Sequence, residues 1–428
     1  LLALLLIFFS LSAAGQVFAV ELAEPKPESL PAVSTDPVVP VRPPKSYNAK
    51  KFFLLPLEIP SYVLKGVTYP LLELGKLLER HPGIFSFEER NWLIVPLIEA
   101  GGGDGFGGGL FFQYRNLFDK GYQLRLYYQV HTDLDQRAFL VLDSPPVEYL
   151  WDRPIRYQVR VDFRNNPNAR FYGRGSDSLQ SDKSEYGLDR VRGGGHLDYQ
   201  ILSRLKVKIP VDFMTVNTRS AKGNARSVED TFPASEIPGF DKRLTYFITG
   251  LELKYDTTDS EVTPTRGGSD SFQFLRYQGL SHSGFDFNEY FLDLRQYVAL
   301  WTPRHVLAFR NAWKFQQGTG DSQVPFVLFS ELDWKQLLRG FDRGRFRDNS
   351  YVLFNFEYRF PIWDFIDGKV FLDTGKVFRA STDVSFDHWK YAAGGGISFI
   401  LRDLVLFTVE VGYGGEGPRA VFRVGPSI

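Results

Sequence analysis

The chain has 428 residues with 50 Lys+Arg against 50 Asp+Glu, a formal net charge of zero, which argues against an electrostatic nucleic-acid binder and leaves no nucleic acid among the expected partners. It contains no Cys, so a disulfide scaffold, a thiolate metal site and a Cys nucleophile are excluded. With 39 Phe, 21 Tyr, 7 Trp and 39 Gly against a single Met, the composition favours β-structure over helix.

At the N-terminus Leu1 to Phe9 is continuously apolar, and Ser10 to Ala19 is small and mixed. This is the pattern of a secretory signal peptide over residues 1–19, with cleavage expected after Ala19. The initiator Met and a basic leading region are missing, so the sequence is expected to begin a few residues into the leader. Residues 20–50 read as a Pro-rich linker, with seven prolines between Pro25 and Pro44. Residues 51–91 read as a short periplasmic segment. Within it Val63, Val67, Leu71, Leu74 and Leu78 follow helical spacing up to a Pro82-Gly83 stop, and Pro70 is expected to kink the helix.

Beyond Trp92 the period changes to two. Tyr122, Leu124, Leu126, Tyr128 and Val130 alternate with Gln123, Arg125, Tyr127, Gln129 and His131. The same alternation sets Tyr157, Val159, Val161 and Phe163 against Arg156, Gln158, Arg160, Asp162 and Arg164. It recurs around Val207, Ile209, Val211 and Phe213, and again around Phe354, Phe356 and Tyr358. A soluble sandwich also alternates, but here no helices remain to cover the aromatic face. The other face carries clustered charge of both signs, which suits a wet lumen. Connections alternate between brief ones (Asn116 to Gly121, Trp301 to Arg304) and extended ones (Asn165 to Ser184, Thr218 to Asp241, Gly318 to Asn349). These features predict an all-β fold over residues 92–428, a transmembrane antiparallel β-barrel of about sixteen strands in the outer membrane of a Gram-negative-type bacterium.

Three stretches late in the chain carry the strongest wording: Leu338-Arg339-Gly340-Phe341, Phe356-Glu357-Tyr358-Arg359-Phe360-Pro361, and Val370-Phe371-Leu372-Asp373-Thr374-Gly375-Lys376. In order and spacing they resemble the BamA/TamA family of outer-membrane assembly proteins, the bacterial surface-antigen superfamily. Arg170-Phe171-Tyr172-Gly173-Arg174-Gly175-Ser176 looks like a loop pattern of the same family. The resemblance implies that the sixth external loop folds into the lumen. Leu338, Arg339, Gly340 and Phe341 would form its tip, and Glu357 and Asp373 would accept the Arg339 fork. Gly340 would let the backbone turn tightly. The alternative is that Arg339 is one more solvated loop charge beside Arg343, Arg345 and Arg347.

The resemblance further implies a function in inserting or translocating proteins, without enzymatic activity and without a cofactor. Expected partners are outer-membrane lipids, together with unfolded outer-membrane protein clients or a periplasmic partner. A pore-forming or structural barrel is the alternative. Pro96 in the first strand and Gly425 and Pro426 in the last mark a candidate weak seam, since proline cannot donate to a ladder. The family's periplasmic POTRA domains are not evident in the roughly 70 residues between Ala19 and Trp92. Two enzymatic patterns were set aside. Gly103-Asp104-Gly105-Phe106-Gly107-Gly108 has dinucleotide-like glycine spacing but no following helix, and Ser281-His282 is a polar loop pair. The six His residues show no metal-ligand spacing.

Overall fold

The computed structural model describes residues 91–101, 105–222, 225–333, 337–363, 365–380, 383, 385, 387–401 and 404–423. The signal-peptide, linker and helical-segment expectations lie outside these residues, as do Gly425 and Pro426.

Sixteen strands form the wall. In chain order they are β1 (Trp92–Gly101), β2 (Phe106–Leu117), β3 (Tyr122–His131), β4 (Gln136–Asp143), β5 (Arg153–Phe171), β6 (Ser184–Gln200), β7 (Leu205–Ser220) and β8 (Arg243–Asp256). They continue with β9 (Gly267–Gly279), β10 (Phe287–Ala299), β11 (Val306–Gly318), β12 (Ser350–Trp363), β13 (Ile366–Phe378), β14 (Lys390–Leu401), β15 (Leu404–Tyr413) and β16 (Pro418–Arg423). Each pairs antiparallel with its neighbours in sequence, and β16 returns to β1, so the barrel is closed. Closure removes the free sheet edges that an open sheet would expose.

The alternation in the sequence becomes an inside and an outside. On β3, Leu126, Tyr128 and Val130 face outward and are exposed, whereas Gln129 and His131 are buried toward the lumen. Val159, Val161 and Phe163 on β5, and Ile209, Val211 and Phe213 on β7, extend the apolar outer surface. A belt of this kind would drive aggregation in water and requires a lipid surround.

Two differences from the sequence reading have physical causes. The connection expected from Asn165 is strand up to Phe171, because Pro167 sits in an irregularity between Asn166 and Ala169 where the ladder does without its missing donor. The lumen is also not uniformly wet. At the end carrying the long connections, lumen-facing Met214, Val216, Tyr246, Ile248, Leu275 and Phe287 pack with residues of two inward-folded loops. These are Val228 and Ile237 of the β7–β8 connection and Val324, Phe326 and Phe329 of the β11–β12 connection. These loops bring their own apolar side chains, and the facing wall matches them.

Candidate functional site

The β11–β12 connection (319–349), here called the lumen loop, enters the barrel and doubles back. Ser330–Leu332 pairs with Phe346–Asp348 as a short hairpin. Beyond it the Leu338 N–H donates to the Asp333 carbonyl at 2.8 Å, and the Gly344 N–H donates to Asp333 Oδ2 at 2.9 Å. Leu337 is held at φ 75, an unfavourable conformation for a branched side chain. It is held there by packing with Tyr297, Val306 and Ala308, and by the Asn355 amide, which donates to its carbonyl at 2.6 Å.

This strained turn delivers Arg339 to a place with no solvent exposure at all. Its Nε and Nη2 bond the two oxygens of Asp373 at 2.8 and 2.7 Å, a bidentate fork, and its backbone N–H reaches Asp373 Oδ2 at 3.2 Å. Its Nη1 donates to Glu357 Oε2 at 2.6 Å and Glu410 Oε1 at 3.0 Å. The guanidinium also lies 3.6 Å over the Phe371 ring, a favourable cation–π placement. The strand register makes this convergence possible. Asn355 stands opposite Asp373 and Glu357 opposite Phe371, and β15 presents Glu410 from the far side of β14.

Arg359 Nε bonds Glu357 Oε1 at 2.9 Å, and Lys369 lies 3.4 Å from Glu410. The cluster therefore holds three cations and three carboxylates and is formally neutral, the condition under which buried ions are tolerable. Burial opposes the charge on Arg339, but Asp373, Glu357 and Glu410 outweigh it and its pKa is raised.

Leu338 and Phe341 of the tip are buried with Leu332, Phe346, Leu353 and Ala392. Gly340 is required for a reason other than a tight turn: a Cβ there would lie 2.4 Å from the Gly414 backbone nitrogen. A Cβ on Gly412 would lie 2.4 Å from the Arg339 carbonyl oxygen, and one on Gly414 would strike the Phe341 ring. Backbone thus lies on backbone, and only glycine fits between.

The neighbouring arginines are not solvated loop charges. Arg343 donates to Asp135 at 2.7 Å, Arg345 pairs with Glu416 and reaches Ser178, and Arg347 pairs with Glu331 and the Tyr186 hydroxyl. The Arg170 to Ser176 motif closes over the loop: Arg174 bonds Asp348 at 2.7 Å, the Gly175 N–H donates to the Arg347 carbonyl, and the Ser176 hydroxyl accepts from the Val377 N–H.

Glu410, Lys369 and Asn355 were missed in the sequence. Parity could have found Glu410, since Thr408, Glu410 and Gly412 alternate with Val409 and Val411.

At the closure, the described residues pair only as Ala100 with Phe422 and Gly101 with Val421, against nine pairs between β1 and β2. Pro96 is exposed in β1 opposite Leu110 of β2. The Ser281 hydroxyl accepts from the Thr245 N–H and donates to the Arg243 carbonyl, so it serves the loop backbone.

Comparison with known proteins agrees with this architecture. Residues 116–409 match the model of the Omp85 superfamily domain. Among solved structures, BamA from Haemophilus ducreyi lacking POTRA domains 1–3 is 14% identical, with a TM-score of 0.59 over 77% of this chain and 69% of that one. CdiB from Escherichia coli is 11% identical, with a TM-score of 0.52 over 79% of this chain and 63% of that one. CdiB from Acinetobacter baumannii is also 11% identical, with a TM-score of 0.51 over 77% and 59%. At these identities the likeness concerns the fold, and the chain spans about three fifths of the length of either CdiB structure. No curated protein matches the sequence.

Proposed function

The chain belongs to the Omp85 superfamily, and from that premise we propose that it is an outer-membrane barrel of the BamA/TamA type that assists insertion or translocation of proteins in a Gram-negative-type bacterium. The observation that carries this reading is the fully buried Arg339 shared by Glu357, Asp373 and Glu410. A loop held across the lumen by a neutral ionic cluster blocks simple passage, so a client must either displace the loop or use the wall. Pro96, which has no N–H to give a ladder, lies in β1 next to the closure and supports use of the wall. In this reading outer-membrane lipids surround the apolar belt, and an unfolded outer-membrane client or a periplasmic partner supplies the substrate.

The test is reconstitution of the purified protein in liposomes presented with an unfolded outer-membrane barrel, scored for protease-resistant client. Folding accelerated over empty liposomes, and lost with Arg339→Ala, is the expected result. No acceleration, with steady ion conductance in a planar bilayer, overturns it. That outcome would favour the second reading, a pore-forming or structural barrel, which is supported by a charged cavity of about 510 Å³ in the lumen.

A further inference from the structure

That cavity is strongly biased in charge. Its lining includes Arg160, Arg164, Arg190, Arg192, Lys314 and Arg347, against the carboxylates of Glu289 and Glu331 alone. Four of these arginines come from two adjacent strands, and Arg164 stands directly opposite Arg190 in the β5–β6 register. Like charges placed directly across a sheet repel and destabilise it.

The surrounding acids do not balance them. Asp212 serves both Arg192 at 2.5 Å and Arg160 at 3.4 Å. Asp162 reaches Arg160, Glu289 pairs with Lys314, and Glu331 pairs with Arg347. Asp135 is divided among Arg164, Arg137 and Arg343. Arg190 has no salt bridge among the described residues, and the buried atoms there without a partner include acceptors, Asp212 Oδ1 and Gln316 Oε1, as well as the Nε of Arg192 and Arg347. A buried charge left uncompensated is costly, and the excess of cations lining the cavity, with Arg190 lacking an ion pair, points to an absent group of negative charge. The volume suits a small ligand.

We propose that this cavity binds a phosphate-type oxyanion, either free or as the headgroup of a phosphorylated lipid. Arg190 contributes the unmatched charge, and Arg160, Arg164, Arg192 and Arg347 complete the basic lining. Arginine forks match phosphate oxygens in geometry and charge.

The experiment is calorimetric titration of the full chain, refolded in non-ionic detergent at constant ionic strength. The probes are inorganic pyrophosphate and dihexanoyl phosphatidate. One saturable site is expected, weakened at least tenfold by Arg190→Met and by Arg192→Gln. Arg156→Gln, which removes the same charge from the adjacent strand β5 outside the cavity lining, should leave it unchanged. Arg190→Met should also fail to lower the melting temperature of the ligand-free barrel, because it relieves the Arg164–Arg190 opposition. Tighter binding of pyrophosphate identifies a free anion, and tighter binding of phosphatidate identifies a lipid headgroup. No saturable site, or a loss of binding equal in Arg156→Gln and Arg190→Met, overturns the proposal.

Discussion

Removing the Arg339 side chain should unlatch the lumen loop, and the structure sets the size of the effect. Breaking a buried pair from one side costs about 3–5 kcal/mol because the other charge stays buried. In Arg339→Ala, Glu357 keeps Arg359 and Lys369, and Glu410 keeps Lys369. Asp373 is left with the Asn355 amide at 2.7 Å, so one carboxylate is poorly compensated and the low end applies. About 3 kcal/mol corresponds to roughly a 150-fold rise in the loop's opening constant. The chain has no Cys, so a single Ala392→Cys, placed under Leu338 and Phe341, reports opening through its maleimide labelling rate. Labelling about 150-fold faster in Arg339→Ala is the expected outcome. Adding Asp373→Asn should slow it again, since the orphaned charge is then gone although a bonding group has also been lost. A rate within threefold of the parent, or further acceleration by Asp373→Asn, would refute the reasoning.

Gly412→Ala leaves every charge in place but puts a methyl group 2.4 Å from the Arg339 carbonyl oxygen; labelling of Ala392→Cys should rise at least tenfold, while Gly193→Ala, whose Cβ meets nothing closer than 4.0 Å, should leave it unchanged. Asp135 lies in the β3–β4 connection, where burial alone would raise its pKa, but Arg164 and Arg137 outweigh burial and hold it below 3.8. A lowered carboxyl pKa contributes stability above 3.8 that is lost as the pH falls below it. Asp135→Asn should therefore melt earlier than the parent at neutral pH by about 3 kcal/mol, with the gap closing below pH 3.8 in heat-modifiability measurements. An Ala100→Cys and Phe422→Cys pair, placed at facing positions of the closure, should abolish client folding when oxidised and restore it on reduction if the wall opens there; unchanged folding with the disulfide intact would exclude that route.

The wall was legible in the sequence because its physics is local. Alternation along β3, β5 and β7 is fixed residue by residue by the lipid on one side and the lumen on the other, and the bond pattern of a closed barrel follows. Arg339, Glu357 and Asp373 were legible through their family wording, and Glu357 also through parity. What was not legible depends on register between distant strands. Glu410 reaches Arg339 only because β15 sits two strands on from β13, across β14, and Gly412 and Gly414 are necessary only because the loop backbone comes to rest on them. The apolar lumen residues Met214 and Tyr246 were not legible, since nothing local announces that two loops will fold inward to cover them.

The lumen loop is held by two kinds of force, and the division has consequences for how it moves. Near the long connections it is fixed by apolar packing around Phe326 and Phe171, a non-directional attraction that tolerates small shifts. At the tip it is fixed by the Arg339 fork and by glycine contacts that tolerate almost none. Replacing a buried ionic cluster with apolar side chains is often neutral or stabilising, so stability alone does not account for the ions. Their particular property is steepness: a tip displaced by an ångström or two loses the fork on Asp373 and leaves the wall with an excess negative charge. A loop built this way is either seated or released, with little stable ground between. Since the tip rests on β15, and β15 pairs with the strand that closes on β1, seating the loop also braces the wall next to its closure.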